Sequence, residues 1–388
     1  MNKLERNIPL TYIYSILMKR VTMPIIIVYF LLNTLSFTEI AILAAIAAGI
    51  GLALEIPAGA FTDKYGKKTV LILSSAFSFF MMAIYFFGNS FWEFAIASIF
   101  LGLWSAFTSG TRSALLFDTL AKLKRKHDYK QVYGKMILYS HIGNALILLS
   151  IPFIYSINVK LPFLIGIIFS ITLLALGTLI HEPKIKKHEN HKIMRSSLKE
   201  IFGKKSVLFA IILMMISFAS IFAFSEFKQP LLLIASIDII YFGIIYALIR
   251  GLSGIGGMIP HKIHNKKIGK YSISIGILLI FISFLSFFSE ISYFIIIGIL
   301  IIALSEGLLR VAFYDKINHL IASENRTTIL SIASVLQLVG KIIIVLIMGF
   351  LADLIGVTQM FFPITIIFVM AIGITFILFK NQPSTIFT

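Results

Sequence analysis

Apolar stretches near twenty residues recur down the whole chain, divided by short polar intervals. Each is long enough to cross about 30 Å of hydrocarbon as a helix. The apolar-length criterion gives twelve helices, at roughly 8–33, 38–62, 67–87, 90–118, 131–157, 160–181, 206–235, 237–262, 269–288, 290–320, 326–352 and 358–380. Several exceed what a bilayer needs, which predicts tilted or protruding ends. The longest polar interval, HEPKIKKHENHKIMRSSLKEIFGKK, separates six helices from six. The expected domains are an N-terminal bundle over 1–181, a basic linker over 182–205 and a C-terminal bundle over 206–388. The linker histidines His181, His188 and His191 lack the carboxylate or cysteine partners of a metal set, so this segment reads as solvated linker.

Composition agrees. Of the 388 residues 59% are hydrophobic and only 13% charged, about half the charge of a soluble chain. The start lacks the apolar core and small-residue cleavage site of a signal peptide, so the first segment is expected to stay as a membrane helix. With no cysteine there is no disulfide or thiolate chemistry. The formal net charge of +17 does not point to nucleic acid, because the bases fall in short loops between apolar segments. They alternate in side: one set of loops is basic, while the opposite set holds Lys160 and almost no other base. That asymmetry places both termini and the central linker in the cytoplasm. Basic loops there would also meet anionic lipid headgroups.

The run GAFTDKYGKK, Gly59 to Lys68, lies between the second and third apolar segments. It places Gly59, Asp63, Lys64, Gly66, Lys67 and Lys68 on a short basic turn at a membrane edge. It resembles the signature loop of the major facilitator superfamily, G-x-x-x-[DE]-[RK]-x-G-[RK]-[RK], with every key position filled. A weaker copy follows the eighth helix, where Gly257 matches Gly59, Lys262 matches Lys64 and His261 stands where Asp63 would be. The segments EIPAGAFTDKYGKK, SGTRSALLFDTL and LIASENRTTILSIASVLQ resemble a prokaryotic, drug-efflux-like branch, although Arg112 stands where that branch often has an acid. The resemblance implies an all-α polytopic fold of two pseudo-symmetric six-helix bundles and transport by alternating access. It implies that Asp63 serves as a conformational latch by accepting hydrogen bonds from a helix N-terminus. Lys64, Lys67 and Lys68 would pair with acids such as Asp118. Gly59 would allow close helix packing and Gly66 a tight turn.

A second set of charges lies where lipid should be. Lys19, Arg20, Arg250, Glu306, Arg310 and Lys341 fall inside helices, with Glu55 and Arg112 nearer the cytoplasmic end and Glu226 and Lys228 nearer the outer end. A charge at the bilayer centre costs at least about 2.5 kcal/mol, so these side chains should face protein, water or one another. Glu306 and Arg310 are four apart and can pair within one helix. In the resembled fold helices one, four, seven and ten line the cavity while two, five, eight and eleven contribute from the sides, which brings Lys19 or Arg20, Glu306, Arg310 and Lys341 towards the midplane. Asn33, Asn144, Tyr139 and Gln337 are further candidate neutral contacts. Bases outnumber acids, which favours an anionic guest.

Glu306, then Glu55 and Glu226, are the candidate proton carriers. The expected function is proton-coupled efflux of a small organic molecule, possible anionic character included, by a monomer in the plasma membrane. Alternatives are an uptake symporter or facilitator of an anionic metabolite, a lipid-headgroup flippase, or a transporter-like receptor. No nucleotide loop, metal set or catalytic cluster is present in the sequence, so no cofactor and no enzymatic activity are expected.

Overall fold

The computed structural model describes residues 3–18, 21–183, 200–262, 271–322 and 325–380. In chain order the helices are α1 Asn7–Leu17, α2 Ile26–Leu32, α3 Phe37–Tyr65, α4 Lys67–Phe87, α5 Phe91–Thr108, α6 Thr111–Lys122, α7 Tyr129–Ile157 and α8 Leu161–Thr178. They continue with α9 Lys205–Phe224, α10 Lys228–Ile234, α11 Phe242–Lys262, α12 Ser272–Phe288, α13 Ser292–Leu320, α14 Arg326–Ile355 and α15 Phe361–Leu378. No strand occurs among the described residues. Among the described residues ten spans are long and apolar enough to cross a membrane, and α12 is a shorter apolar helix. The expected helices at 8–33 and 269–288 correspond to the α1–α2 segment and α12. In hydrocarbon only internally bonded backbone is stable, which is why the chain is helical almost throughout.

Three expected helices are interrupted. The first becomes α1 and α2, with Pro24 between them and the amides of both Ile25 and Ile26 donating to the Thr22 carbonyl. The fourth breaks at Gly110, which takes a left-handed φ of 69° between α5 and α6. The seventh breaks at Ser225–Phe227. There the Ser225 hydroxyl donates to the Phe222 carbonyl at 2.6 Å, and the amides of Glu226 and Phe227 donate three residues back instead of four. Pro230 then has no N–H to return to the Glu226 carbonyl.

The chain forms two compact units: 1–35, 42–187 and 239–244 in the first, and 36–41, 188–238 and 245–388 in the second. The units differ from the two bundles expected from sequence by two short exchanges, at the opening of α3 and just before and into α11. Their internal plans match. In the first, α4 packs on α5 and α8, and α1 on α7. In the second, α12 packs on α13 and α15, and α9 on α14. The first unit holds an apolar core of Leu10, Tyr14, Leu71, Leu115 and Leu173. At the far end of that unit Tyr29, Phe30, Phe94 and Phe163 cluster, with Lys160 donating to the Tyr29 hydroxyl at 2.7 Å. In the second unit Phe224 stacks on Phe287 with ring centroids 5.0 Å apart.

The signature run is a helix junction rather than a loop. Gly59 to Tyr65 are the last turns of α3, Gly66 alone leaves the helix, and Lys67 and Lys68 open α4. Gly66 has φ 87°, a conformation that favours glycine. Glu182, expected in the solvated linker, instead accepts from the Lys67 and Lys68 amides at 3.0 and 2.7 Å and caps α4. Lys68 Nζ donates to the Thr178 carbonyl at 2.6 Å, and the buried Lys67 ammonium pairs with Asp118 on α6. Asn7 clasps the same region, exchanging hydrogen bonds with the His181 backbone and donating to Thr119 Oγ1. The remaining linker residues, 184–199 with His188 and His191, lie outside the described residues. The second unit has a related device: Glu200 accepts from Lys204 Nζ, the Asn325 side chain and the Ala322 amide.

Two outcomes follow for stability. In Asp118→Asn the Lys67 ammonium, 7% exposed, loses its counter-ion, so unfolding in detergent should cost about 3 kcal/mol less. The double change Lys67→Met with Asp118→Leu should recover most of that loss in the same thermal-melt assay. Glu200 is held by its Lys204 and Asn325 hydrogen bonds, lowering its pKa from 4.5 to about 2. A lowered native pKa stabilises above the unfolded value and is lost as pH falls through the native one. The melting gap between wild type and Glu200→Gln should therefore be full at pH 7 and shrink between pH 4.5 and 2.

Candidate functional site

Within the second unit the break between α9 and α10 places two charges on either side of one turn. Glu226 lies in the break and Lys228 opens α10. The overwound backbone there turns Glu226 towards α14, where Lys341 Nζ donates to its Oε1 at 2.7 Å. Both side chains are largely buried, 17% and 16% exposed. Lys228 lies within electrostatic reach of Arg250 on α11, Glu306 on α13, Glu226 and Lys341. Its ammonium also sits 5.4 Å from the Tyr246 ring centroid, a cation–π contact. Four charged side chains, from the α9–α10 break, α11, α13 and α14, thus lie within electrostatic range of Lys228.

Glu306 and Arg310 pair along α13 at 2.7 Å, as their spacing predicts. Arg310 is half exposed and its guanidinium lies 5.6 Å from the Phe218 ring centroid. Counted over this group, Lys228, Arg250, Arg310 and Lys341 face Glu226 and Glu306: four bases and two acids. One turn before Lys341 on α14, Gln337 is buried and its Nε2 has no hydrogen-bond partner among the described residues. A buried donor left unpaired in a polar neighbourhood is a position where a ligand or water supplies the acceptor.

The structure brings together Glu226, Arg250, Glu306, Arg310 and Lys341 of the residues singled out from sequence. Lys228 was noted there only as an outer charge and proves to be the centre of the group. Its signal was available: a lysine and a glutamate two residues apart, followed by Pro230, inside an apolar segment. Lys19 and Arg20 lie outside the described residues. Glu55 is exposed on α3, in the first unit. Asp63 and Lys64 are exposed on the last turn of α3. A Cβ at Gly59 would meet no heavy atom within 4 Å among the described residues, so close packing is not what that glycine provides here. The His261 and Lys262 side chains lie outside the described residues. No group of three or more metal-ligating side chains occurs among those described.

The arrangement can bind and exchange charged groups. A solute anion can compete with Glu226 for Lys341, or with Glu306 for Arg310, while Lys228 and Arg250 supply positive charge not matched within the group. The helix break makes this geometry possible, as at the discontinuous helices of secondary transporters.

A family profile for the Major Facilitator Superfamily matches residues 10–343. An uncharacterized MFS-type transporter of Bacillus subtilis (strain 168), YxaM, is 26% identical over 218 residues, 54% of this chain and 54% of that protein. The match to this curated relative thus spans about half its length. The nucleoside transporter NupG superposes with a TM-score of 0.76 at 13% identity, covering 99% of both chains. A bacterial homologue of the human lysosomal transporter Spinster, in an inward-facing and unoccupied conformation, gives 0.69 at 13% identity over 99% of this chain and 97% of that one. At such identities the structures speak for the fold. The family match extends over most of the chain, and the described residues form helices and no strand. The chain belongs to the Major Facilitator Superfamily of membrane transporters.

Proposed function

We propose that the protein is a secondary transporter that exports a small organic anion across the plasma membrane by alternating access, in exchange for protons. The observation that carries this reading is the cationic excess around Lys228. An excess of bases over acids attracts an anion and rejects a cation. The solute's carboxylate or phosphate would be received by Lys228, Arg250 and Lys341, with Gln337 Nε2 donating to a neutral acceptor on the same molecule. Lys19 and Arg20 would add positive charge from the first segment.

Proton coupling falls to the two paired acids. Glu306 pairs with Arg310, and Glu226 with Lys341. An anion that takes the base away leaves the acid to be protonated, and protonation in turn frees the base for the anion. Glu55 would be a third candidate for the proton step. Asp63, with Lys64, would act as the cytoplasmic latch, while the Lys67–Asp118 pair and Gly66 fix the junction that carries it. The protein would act as a monomer with both termini in the cytoplasm, its basic loops resting on anionic lipids. Uptake of an anionic metabolite would use the same residues, and flux direction decides between the two.

A stabilisation screen of the purified protein checks the charge preference. Anionic metabolites should raise the melting temperature, and the shift should vanish in Lys228→Gln and Lys341→Glu. Equal shifts from cationic compounds would remove the basis of this reading. In proteoliposomes an imposed pH gradient should drive transport of the anion so found. Glu306→Gln should lower gradient-driven flux at least about tenfold while leaving downhill exchange within about threefold, the separation expected when only the proton step is lost. Loss of both to the same degree would assign Glu306 to binding instead.

A further inference from the structure

The signature spacing occurs a second time, at the far end of the chain. Gly349-x-x-x-Asp353-x-x-Gly356 on α14 repeats Gly59-x-x-x-Asp63-x-x-Gly66 on α3. The backbones agree as well: Gly66 has φ 87° and ψ 160°, Gly356 φ 94° and ψ 156°, and each amide donates to the carbonyl four residues back. The second copy is engaged. Asp353 Oδ1 accepts from the Phe37 amide at 2.8 Å and Oδ2 from the Thr38 amide at 2.7 Å, with the Ser36 and Thr38 hydroxyls adding to it. These are unpaired amides of the first turn of α3, where the helix dipole is positive.

The approach is also shaped. A Cβ at Gly349 would lie 2.5 Å from the Ala41 Cβ and 2.7 Å from the Phe37 carbonyl oxygen. Only glycine lets α14 come this near. Residues 36–41 accordingly cluster with the second unit, although the rest of α3 belongs to the first. α3 is one unbroken helix of 29 residues with Asp63 in its last turn, so its two ends lie on opposite membrane faces.

We infer that Asp353 and Gly349 form a second carboxylate latch, acting on the N-terminal turn of α3 at the membrane face opposite Asp63. The latch holds that turn against α14 in one transport state and releases it in the other. This rests on transport by alternating access, and its chemistry is a charge-assisted bidentate hydrogen bond that breaks and reforms without a ligand. Neutralising Asp353 should therefore favour the released state.

The chain has no cysteine, so single thiols report on local opening. Ile40, 3% exposed, lies on the held turn, and Val207, 0% exposed, lies on α9 in the same unit. With the full chain in proteoliposomes, a membrane-impermeant maleimide should label Ile40→Cys at least about tenfold faster when Asp353→Ala is added, and faster again than Asp353→Asn. Gly349→Ala, which keeps the carboxylate, should also speed labelling. Val207→Cys should stay protected in every background. Equal Ile40→Cys rates with and without Asp353 would overturn the latch. So would a parallel rise at Val207→Cys, which would make Asp353 a general stabiliser. Neither result depends on a substrate, so the proposed transport of an anion is tested separately.

Discussion

An ionised side chain in hydrocarbon must find a partner, and that requirement organises the second unit. Removing an isolated charge from water costs several kcal/mol even after relaxation. Glu226 meets it with Lys341 and Glu306 meets it with Arg310, each at 2.7 Å. Lys228 and Arg250 are placed by the same elements but bring no further acid with them. Within this group four bases therefore stand against two acids. A helix running straight through Ser225–Phe227 would point Glu226 elsewhere, so the local exchange of backbone for hydroxyl hydrogen bonds is what sets the pair.

The same economy governs the helix ends. The first amides of a helix have no internal acceptor. At three junctions a carboxylate distant in sequence supplies one: Glu182 for α4, Asp353 for α3, and Glu200 for the turn at Ala322. These acids join elements that hydrophobic packing leaves free to slide, since lipid and protein interior are alike to an apolar side chain. Directional bonds at the ends thus fix the register of helices whose flanks are uniformly greasy.

How much of this could be read from sequence depends on range. The ten long apolar spans were legible because bilayer thickness fixes their length, and the Glu306–Arg310 pair was legible because helical spacing fixes it. The breaks at Ser225–Phe227 and at Gly110 were not, because apolar length alone cannot distinguish a straight helix from an overwound one. Gly110 and Pro230 were the available hints. Glu182 looked like linker because its partners lie more than a hundred residues away. Glu226 is a candidate proton carrier from sequence, but its pairing with Lys341 is not legible there for the same reason. Asp353 had a local signal, the repeated glycine spacing, but only the bonds to Phe37 and Thr38 give that spacing a meaning.

Why the chain keeps paired ions at all is a question of exchange. A buried salt bridge replaced by apolar groups of equal volume often leaves a protein as stable or more so. Stability therefore does not account for Glu226 with Lys341. An ion pair has a property that a leucine contact lacks: either member can trade its partner for a proton or for another ion of like charge. At the α9–α10 break the helix has already surrendered two regular backbone bonds, so a shift of Glu226 disturbs little else. A Lys341 to Met change paired with Glu226 to Leu should then yield a fold at least as stable as the native one while abolishing anion-dependent stabilisation, because it removes the tradeable charges and leaves the packing.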